Sequence, residues 1–175
     1  MPSRLRVPIG YLVGVIVLVL ARPTPRSVAL GLPLALLGEA LRIWASGHID
    51  KTRALATGGP YAHTRNPLYL GSAAIATGAA LACWSPWVVV AAVAYFAAFY
   101  PGLVREESAF LAARFPAEYA AWAATVPPFV PRLAPSGPRS SRFDWRQVAR
   151  NREWRTAVAV PAAFGLLYLR GLWAP

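Results

Sequence analysis

"LYLGSAAIATGAALACWSPWVVVAAVAYFAAFYPGLV", residues 68–104, contains no charged side chain. It divides at "CWSPW", residues 83–87, into two apolar runs, Leu68 to Trp84 and Trp87 to Val104. Each is near the roughly 17 to 25 residues that a helix needs to cross the hydrocarbon of a bilayer. Pro86 stands where chains turn rather than inside a helix. The stretch therefore reads as a helical hairpin in a membrane.

Working outward, three further apolar segments appear at Leu5 to Ala21, Val28 to Ala45 and Thr156 to Trp173, the first being the shortest. "ARPTPR", with Pro23 and Pro25, joins the first two as a second hairpin. The composition agrees: 57% of the 175 residues are apolar and 14% charged, against about 25% charged in an ordinary soluble domain. The fold class expected is an all-α integral membrane protein with about five transmembrane helices and a cytoplasmic amphipathic helix. It forms one domain over 1–175, divided into a helix hairpin (1–45), a core (46–132) and a basic link with the last helix (133–175). The start, "MPSRLRVPIGYLVGVIVLVLA", has the basic flank and apolar core of a signal peptide. No convincing small-residue cleavage site follows, so a retained first helix is expected. Gly10 and Gly14 have the spacing of a small-residue packing motif. Cys83 stands alone, so no intrachain disulfide forms.

The formal net charge is +11, almost all of it from arginine. Nucleic acid is one partner for such a charge. In a membrane protein, cytoplasmic loops against anionic lipid explain it more simply, so membrane lipids and no nucleic acid are expected. Cations cluster in 48–65 and 105–155, whereas "CWSPW" has none. The positive-inside rule places both clusters and the N-terminus in the cytoplasm, with "CWSPW" and the C-terminus outside. Arg22, Arg26 and Arg170 run against this scheme. The bias to Arg and Ala suggests a bacterium of high GC content and hence an inner membrane.

"VREESAFLAARFPAEYAAWAATV", 104–126, reads as the amphipathic helix. Leu111, Phe115, Tyr119 and Trp122 form one apolar stripe, and Val126-Pro127-Pro128 ends it. Residues 127–142 read as an irregular link, and "FDWRQVARNREWR" as a segment along the membrane surface leading into the last helix.

"GGPYAHTRNPLYLG", 58–71, is denser in special residues than a helix start requires. Asn66 suits an N-cap and Pro67 the first helical position. The free N–H groups of that helix make an anion site at the interface. Gly58-Gly59-Pro60 turns the loop back, Tyr61 and Tyr69 offer flat faces with hydroxyl tips, and Arg65 adds a cation. Together they suit a small molecule carrying a carboxylate and an aromatic ring. The plain alternative, a capped helix with interfacial tyrosines, fits the residue types equally well. His63 reads as an interfacial polar residue, and two histidines without a cysteine pair point to no metal. Glu106 and Glu107 either complement the start of their helix or turn one carboxylate toward the apolar stripe. Glu39 and Arg42, three apart in helix two, either line a site or pair structurally.

"GHIDKTRALATGGPYAHTRNPLYLG" (47–71) followed by "REESAFLAARFPAEYAAWAATVPPFVPR" (105–132) resembles the isoprenylcysteine carboxyl methyltransferase and phospholipid methyltransferase group. The carriers of the resemblance are GPY, R-N-P-x-Y and the distant E-E. The resemblance implies S-adenosylmethionine as cofactor, and the chain has no G-x-G-x-x-G stretch that would indicate a Rossmann domain. It implies that Tyr61, Asn66, Pro67, Leu68 and Tyr69 contact the cofactor, that Arg53, Ala54, Leu55 and Ala56 lie against it, and that His48 and Glu106 complete the pocket. Relatives that methylate a prenylcysteine carboxylate have an arginine one turn before the glutamate pair. Gly102 stands there, and Arg105 directly precedes Glu106. The expected acceptor is a lipophilic small molecule entering from the bilayer. Arg65 or Arg105 would steady it, and Glu107 would accept its proton. The rival readings are an NADPH-dependent membrane reductase of the sterol-reductase type and a non-enzymatic membrane module. The oligomeric state is not legible in the sequence.

Overall fold

A computed structural model describes residues 2–50, 54–136 and 142–173. Among the described residues seven α-helices follow one another: α1 (Pro2–Leu20), α2 (Pro25–Ser46), α3 (Pro67–Cys83), α4 (Pro86–Arg114), α5 (Pro116–Thr125), α6 (Trp145–Arg150) and α7 (Trp154–Trp173). A 3-10 turn, Gly59–Ala62, lies between α2 and α3. There is no strand among the described residues. Pro25, Pro67, Pro86 and Pro116 each open a helix, where the missing N–H costs nothing and the fixed φ suits the first turn. Three helices, α2, α4 and α7, are long and apolar enough to cross a membrane. α3, at 17 residues, and Pro8–Val17 within α1 are apolar but shorter.

The five apolar runs read from the sequence correspond to α1, α2, α3, α4 and α7. The amphipathic helix expected over 104–126 has different bounds. Its first half is the end of α4, which continues through Pro101 to Arg114. The second half is α5, after a break at Phe115. Pro116 causes the break, because a residue before proline is pushed away from helical geometry, and Phe115 sits at φ −134° and ψ 63°. The i to i−4 bonding survives it: Phe115 N donates to Leu111 O at 2.8 Å and Tyr119 N to Phe115 O at 2.8 Å. The apolar stripe therefore stays in line from Leu111 to Trp122.

The chain divides into two compact units. One comprises 1–37, 73–105 and 159–175. Its core is mostly small residues from α2 and α3 with Val160, Phe164 and Leu167 from α7. α2 and α3 meet backbone to backbone. A Cβ on Gly31 would strike the Gly78 carbonyl, and one on Gly78 would strike Gly31 O and Ala35. Small residues permit such an approach, which is how helices pack where water gives no driving force. Gly10 also faces a neighbour, Tyr95, but the space around Gly14 is open. At the helix ends, Ser27 Oγ donates to Ala82 O (2.8 Å) and Arg22 N to Cys83 O (2.8 Å). Thr24 and Ser27 exchange backbone-to-hydroxyl bonds at the start of α2, leaving few of its first N–H groups unpaired. Leu12, Val19, Leu30, Val90, Val93 and Leu166 are exposed, as lipid-facing side chains are.

The other unit comprises 38–72 and 106–158. Ala45, Leu55, Tyr61, Trp122 and Val126 form its core, with Ile49, Leu68, Leu111, Phe115 and Tyr119 packed around them. Arg42 ties its parts together. The guanidinium bonds Glu153 through Nε and Nη2 (2.7 Å each), Ser72 Oγ through Nη1 (2.5 Å) and, more weakly, Leu68 O (3.5 Å). Glu39 is 4.0 Å away on the same helix.

The Gly31–Gly78 contact carries a stability prediction. Gly78→Leu forces overpacking against backbone and should cost about 1 to 3 kcal/mol. Gly14→Leu, placed in open space, should cost little. Thermal unfolding of the detergent-purified variants measures both, and equal losses would refute the assignment of the α2–α3 contact.

Candidate active site

The loop before α3 is shaped by one backbone angle. Gly59 has φ +55°, a left-handed conformation that favours glycine. A Cβ there would also run into the His48 ring. Pro60 then starts the 3-10 turn that buries Tyr61. Residues 127–136 strap this loop from outside. Prolines lack an N–H, so Pro127 and Pro128 serve only as acceptors. Pro127 O takes the Arg65 N–H (2.9 Å), and Pro128 O takes Asn66 Nδ2 (2.9 Å) and Thr64 Oγ1 (3.1 Å). Arg132 N donates to His63 O (3.0 Å), Ser136 N to Ala62 O (2.9 Å) and His63 Nδ1 to Arg132 O (2.7 Å). Trp122, buried, donates its indole N–H to Tyr61 O (2.9 Å) and fixes the turn from the α5 side.

Within this unit lies a cavity of about 290 Å³, near the lower end of the range for small-molecule sites. The segment before the turn supplies Ile49, Asp50, Ala54, Leu55 and Ala56, and the turn supplies Tyr61. Arg65 and Asn66 come from the residues before α3. Glu107, Ser108, Phe110 and Leu111 come from α4, Phe115 from the break, and Tyr119 and Trp122 from α5. Five of these walls are aromatic.

Three charged side chains stand on the wall, Asp50, Arg65 and Glu107. Arg65 Nη1 is 3.5 Å from the Tyr119 hydroxyl, and Arg65 Nε is buried with no hydrogen-bond partner. A buried donor left unpaired costs free energy, so it marks a place where an acceptor is wanted. Glu107 Oε2 accepts a bond from the Tyr69 hydroxyl at 2.9 Å. Burial, and then the Glu107 charge and Tyr69, push the Tyr61 phenol well above its ordinary pKa. Tyr61 therefore stays a neutral hydroxyl.

The structure brings together seven of the residues named from sequence: Ala54, Leu55, Ala56, Tyr61, Arg65, Asn66 and Glu107 all line the cavity. Tyr69 reaches the wall through Glu107. Pro67 is buried at the start of α3, and Leu68 packs in the core behind the wall. Asn66 holds the N-cap position, its carbonyl accepting from Leu70 N (3.0 Å), but its side-chain amide is turned to Pro128. His48 is buried off the wall. Its Nδ1 donates to Trp44 O (2.9 Å), and its ring meets Trp44, Phe143 and Gly59. Glu106 is exposed and off the wall, where its neighbour Glu107 stands. Arg105 is exposed in the first unit and is not among the lining residues. Arg53 lies outside the described residues. Glu39 and Arg42 do not line the cavity; of the two readings open to them, Arg42 takes the structural one. Sequence reasoning missed Asp50 and Phe110 on the wall and Glu153 beneath Arg42. Asp50 sits beside Lys51 and Glu153 amid arginines, so neither carried a signal. Among the described residues no group of three or more His, Cys, Asp or Glu side chains could hold a metal ion.

The chain belongs to the phospholipid methyltransferase family, whose model matches residues 27–118. It is 37% identical over 107 residues to the cobalt-zinc-cadmium resistance protein CzcN of Cupriavidus metallidurans, and the match covers 60% of this chain and 48% of that one. It is 34% identical over 109 residues to the nickel-cobalt-cadmium resistance protein NccN of Alcaligenes xylosoxydans xylosoxydans, again 60% and 48%. The match thus spans about half the length of these curated relatives. No solved structure matches the chain.

Gly59 offers a test of the local geometry. Gly59→Ala should destabilise the protein by about 1 to 2 kcal/mol from the left-handed angle alone, with a further loss from the displaced His48. In a His48→Ala background only the first part should remain. A double-mutant cycle of unfolding midpoints measures the difference, and the same cost in both backgrounds would remove His48 from the contact.

Proposed function

We propose that this member of the phospholipid methyltransferase family binds S-adenosylmethionine in the cavity and transfers its methyl group to a lipophilic acceptor supplied by the membrane. The unpartnered Nε of Arg65, buried in a wall that also carries two carboxylates and five aromatic rings, is the observation that supports this most. The cofactor joins an amino acid, a sulfonium and an adenosine, and the wall has a group for each. Arg65 would take the carboxylate. Glu107 and Asp50 suit the cationic parts. Tyr61, Phe115, Tyr119 and Trp122 offer faces and apolar surface for the adenine.

When bound, the cofactor supplies a methyl group already activated by its positive sulfur. The residues of this chain therefore have mainly to hold and align. Tyr69 fixes the Glu107 carboxylate through the 2.9 Å bond, and Glu107 is the group on the wall suited to accept a proton from a neutral acceptor. The strap of 127–136 and the Trp122–Tyr61 bond keep the loop in place while both molecules bind.

In this reading α1, α2, α3, α4 and α7 all cross an inner membrane, and the cavity faces the cytoplasm. The long apolar helices and the arginines of 48–65 and 105–155 support that placement.

Calorimetry on the purified protein tests the proposal. S-adenosylmethionine and its demethylated product should bind, and NADPH should not. Arg65→Gln should weaken cofactor binding at least tenfold, since a hydrogen bond to a charged group is worth about 1.5 to 3 kcal/mol. Glu107→Gln should do the same, and Glu106→Gln should do much less. Binding of NADPH alone would overturn the reading. A larger loss from Glu106→Gln than from Glu107→Gln would give the cofactor to the other carboxylate. Lipid extracts incubated with labelled cofactor would identify the acceptor. Growth of a deletion strain on cobalt, zinc and cadmium would show whether the chain shares the resistance for which its relatives are named.

A further inference from the structure

Residues 142–155 are built differently from the rest of the second unit. Arg142, Arg146, Arg150, Arg152 and Arg155 are all exposed, within fourteen positions. Trp145 and Trp154 are also exposed, at 68% and 55%. Two large indoles left in water beside so many cations are unusual unless something covers them.

The segment does not hang loose. The inner side of α6 is fastened: Val148 is buried, Gln147 Nε2 donates to Asp50 Oδ2 (3.3 Å), and Asn151 Nδ2 donates to Ser46 O (2.9 Å) and Ile49 O (3.2 Å). Asp144 N donates to Gly47 O (2.9 Å), and Phe143 lies on Gly47. Docked this way, α6 turns Trp145, Arg146, Ala149 and Arg150 outward, at the spacing of one helix face. Both acids of the segment are engaged elsewhere. Asp144 accepts from Arg146 N (2.8 Å) as the cap of α6, and Glu153 is buried against Arg42. Among the described residues no carboxylate is within ion-pair distance of any of the five arginines. Arg155 instead lies over the Trp154 ring, 5.7 Å from its centroid.

We infer that the outward face of 142–155 is a docking surface for anionic lipid headgroups, with Trp145 and Trp154 as its interfacial anchors. Continuity favours the bilayer over other polyanions. α7 begins at Trp154 and has 20 residues, which at 1.5 Å per residue is about 30 Å, the thickness of the hydrocarbon. If α7 spans, Trp154 and Arg155 stand at headgroup level, where Trp anchors and arginine meets phosphate. α6 precedes them by one short turn. The surface lies beyond the 27–118 region shared with the family, and the inference does not depend on what the cavity binds.

The test uses the full chain reconstituted in phosphatidylcholine vesicles with and without phosphatidylglycerol. Brominated phosphatidylglycerol should quench tryptophan fluorescence more than brominated phosphatidylcholine at equal content. The lipid that stays with the repurified protein should be enriched in the anionic species by about fivefold or more, the attraction of roughly one headgroup-level arginine. Changing the five arginines to glutamine should remove both effects with helicity unchanged, and changing them to lysine should keep both. Trp145→Phe with Trp154→Phe should lose the extra quenching and keep the enrichment. Equal quenching by the two lipids in the parent, or enrichment that survives the glutamine variant, overturns the inference. So does loss of the preference in the lysine variant. Tight binding of a labelled single-stranded oligonucleotide at physiological salt, lost with glutamine, would give the surface to nucleic acid instead.

Discussion

The second unit depends on a single guanidinium. Arg42 reaches from near the end of α2 to Ser72 in the second turn of α3 and to Glu153 before α7. These segments also meet in the apolar core, where Leu68 packs against the cluster that holds Ala45, and the guanidinium is the polar contact that joins them. Taking a guanidinium and a carboxylate out of water costs several kcal/mol each, and the pair recovers this only with good geometry and further hydrogen bonds. Here the geometry is good, with two contacts of 2.7 Å to one carboxylate oxygen and a hydroxyl on the third nitrogen. Losing one member of such a pair costs about 3 to 5 kcal/mol, because the other stays buried and uncompensated. That contact ties the start of α3, which the loop carrying Arg65 and Asn66 leads into, to α2 and Glu153.

Most helices were legible because their signals are local. An apolar run opened by Pro25, Pro67 or Pro86 defines a helix without reference to anything distant. The break at Phe115 was legible in principle, since Pro116 follows it, but the unbroken stripe from Leu111 to Trp122 argued for one helix. The stripe keeps its line because the backbone bonds continue across the break, but the single helix does not form: 104–114 ends α4 and 116–125 is α5. The glycine contact was harder. Gly10 and Gly14 have the motif spacing, yet the close approach belongs to Gly31 and Gly78, which lie on different helices. Spacing along one helix says which face is small, not which partner it meets.

The candidate site follows the same rule. Ala54 to Ala56, Tyr61, Arg65 and Asn66 lie within a few residues of one another, so the loop that carries them could be read directly. At the far end of α4 the resemblance gave the pocket to Glu106, whereas Glu107 lines it. The carbonyls of Pro127 and Pro128, the indole of Trp122 and the Arg42–Glu153 contact come from the other half of the chain. Nothing in the sequence pairs residues 62 or 111 positions apart. The charge at the glutamate pair was legible, but which member faces the cavity depends on how α4 is rotated, and no sequence pattern states that.

The strap of 127–136 bears on how the chain is made. The loop of 61–66 leaves the ribosome long before the carbonyls that hold it, and Glu153 emerges later still. During synthesis the second unit must wait, its loop hydrated and its arginine unpaired, until the C-terminal third has been translated. Closing such distant contacts is the slow part of folding. A chain stopped after α4 would retain its most apolar segments and lack the strap, α5 and Glu153 that define the cavity. The loop on the cavity wall is thus finished last, although its residues are among the first half to be made.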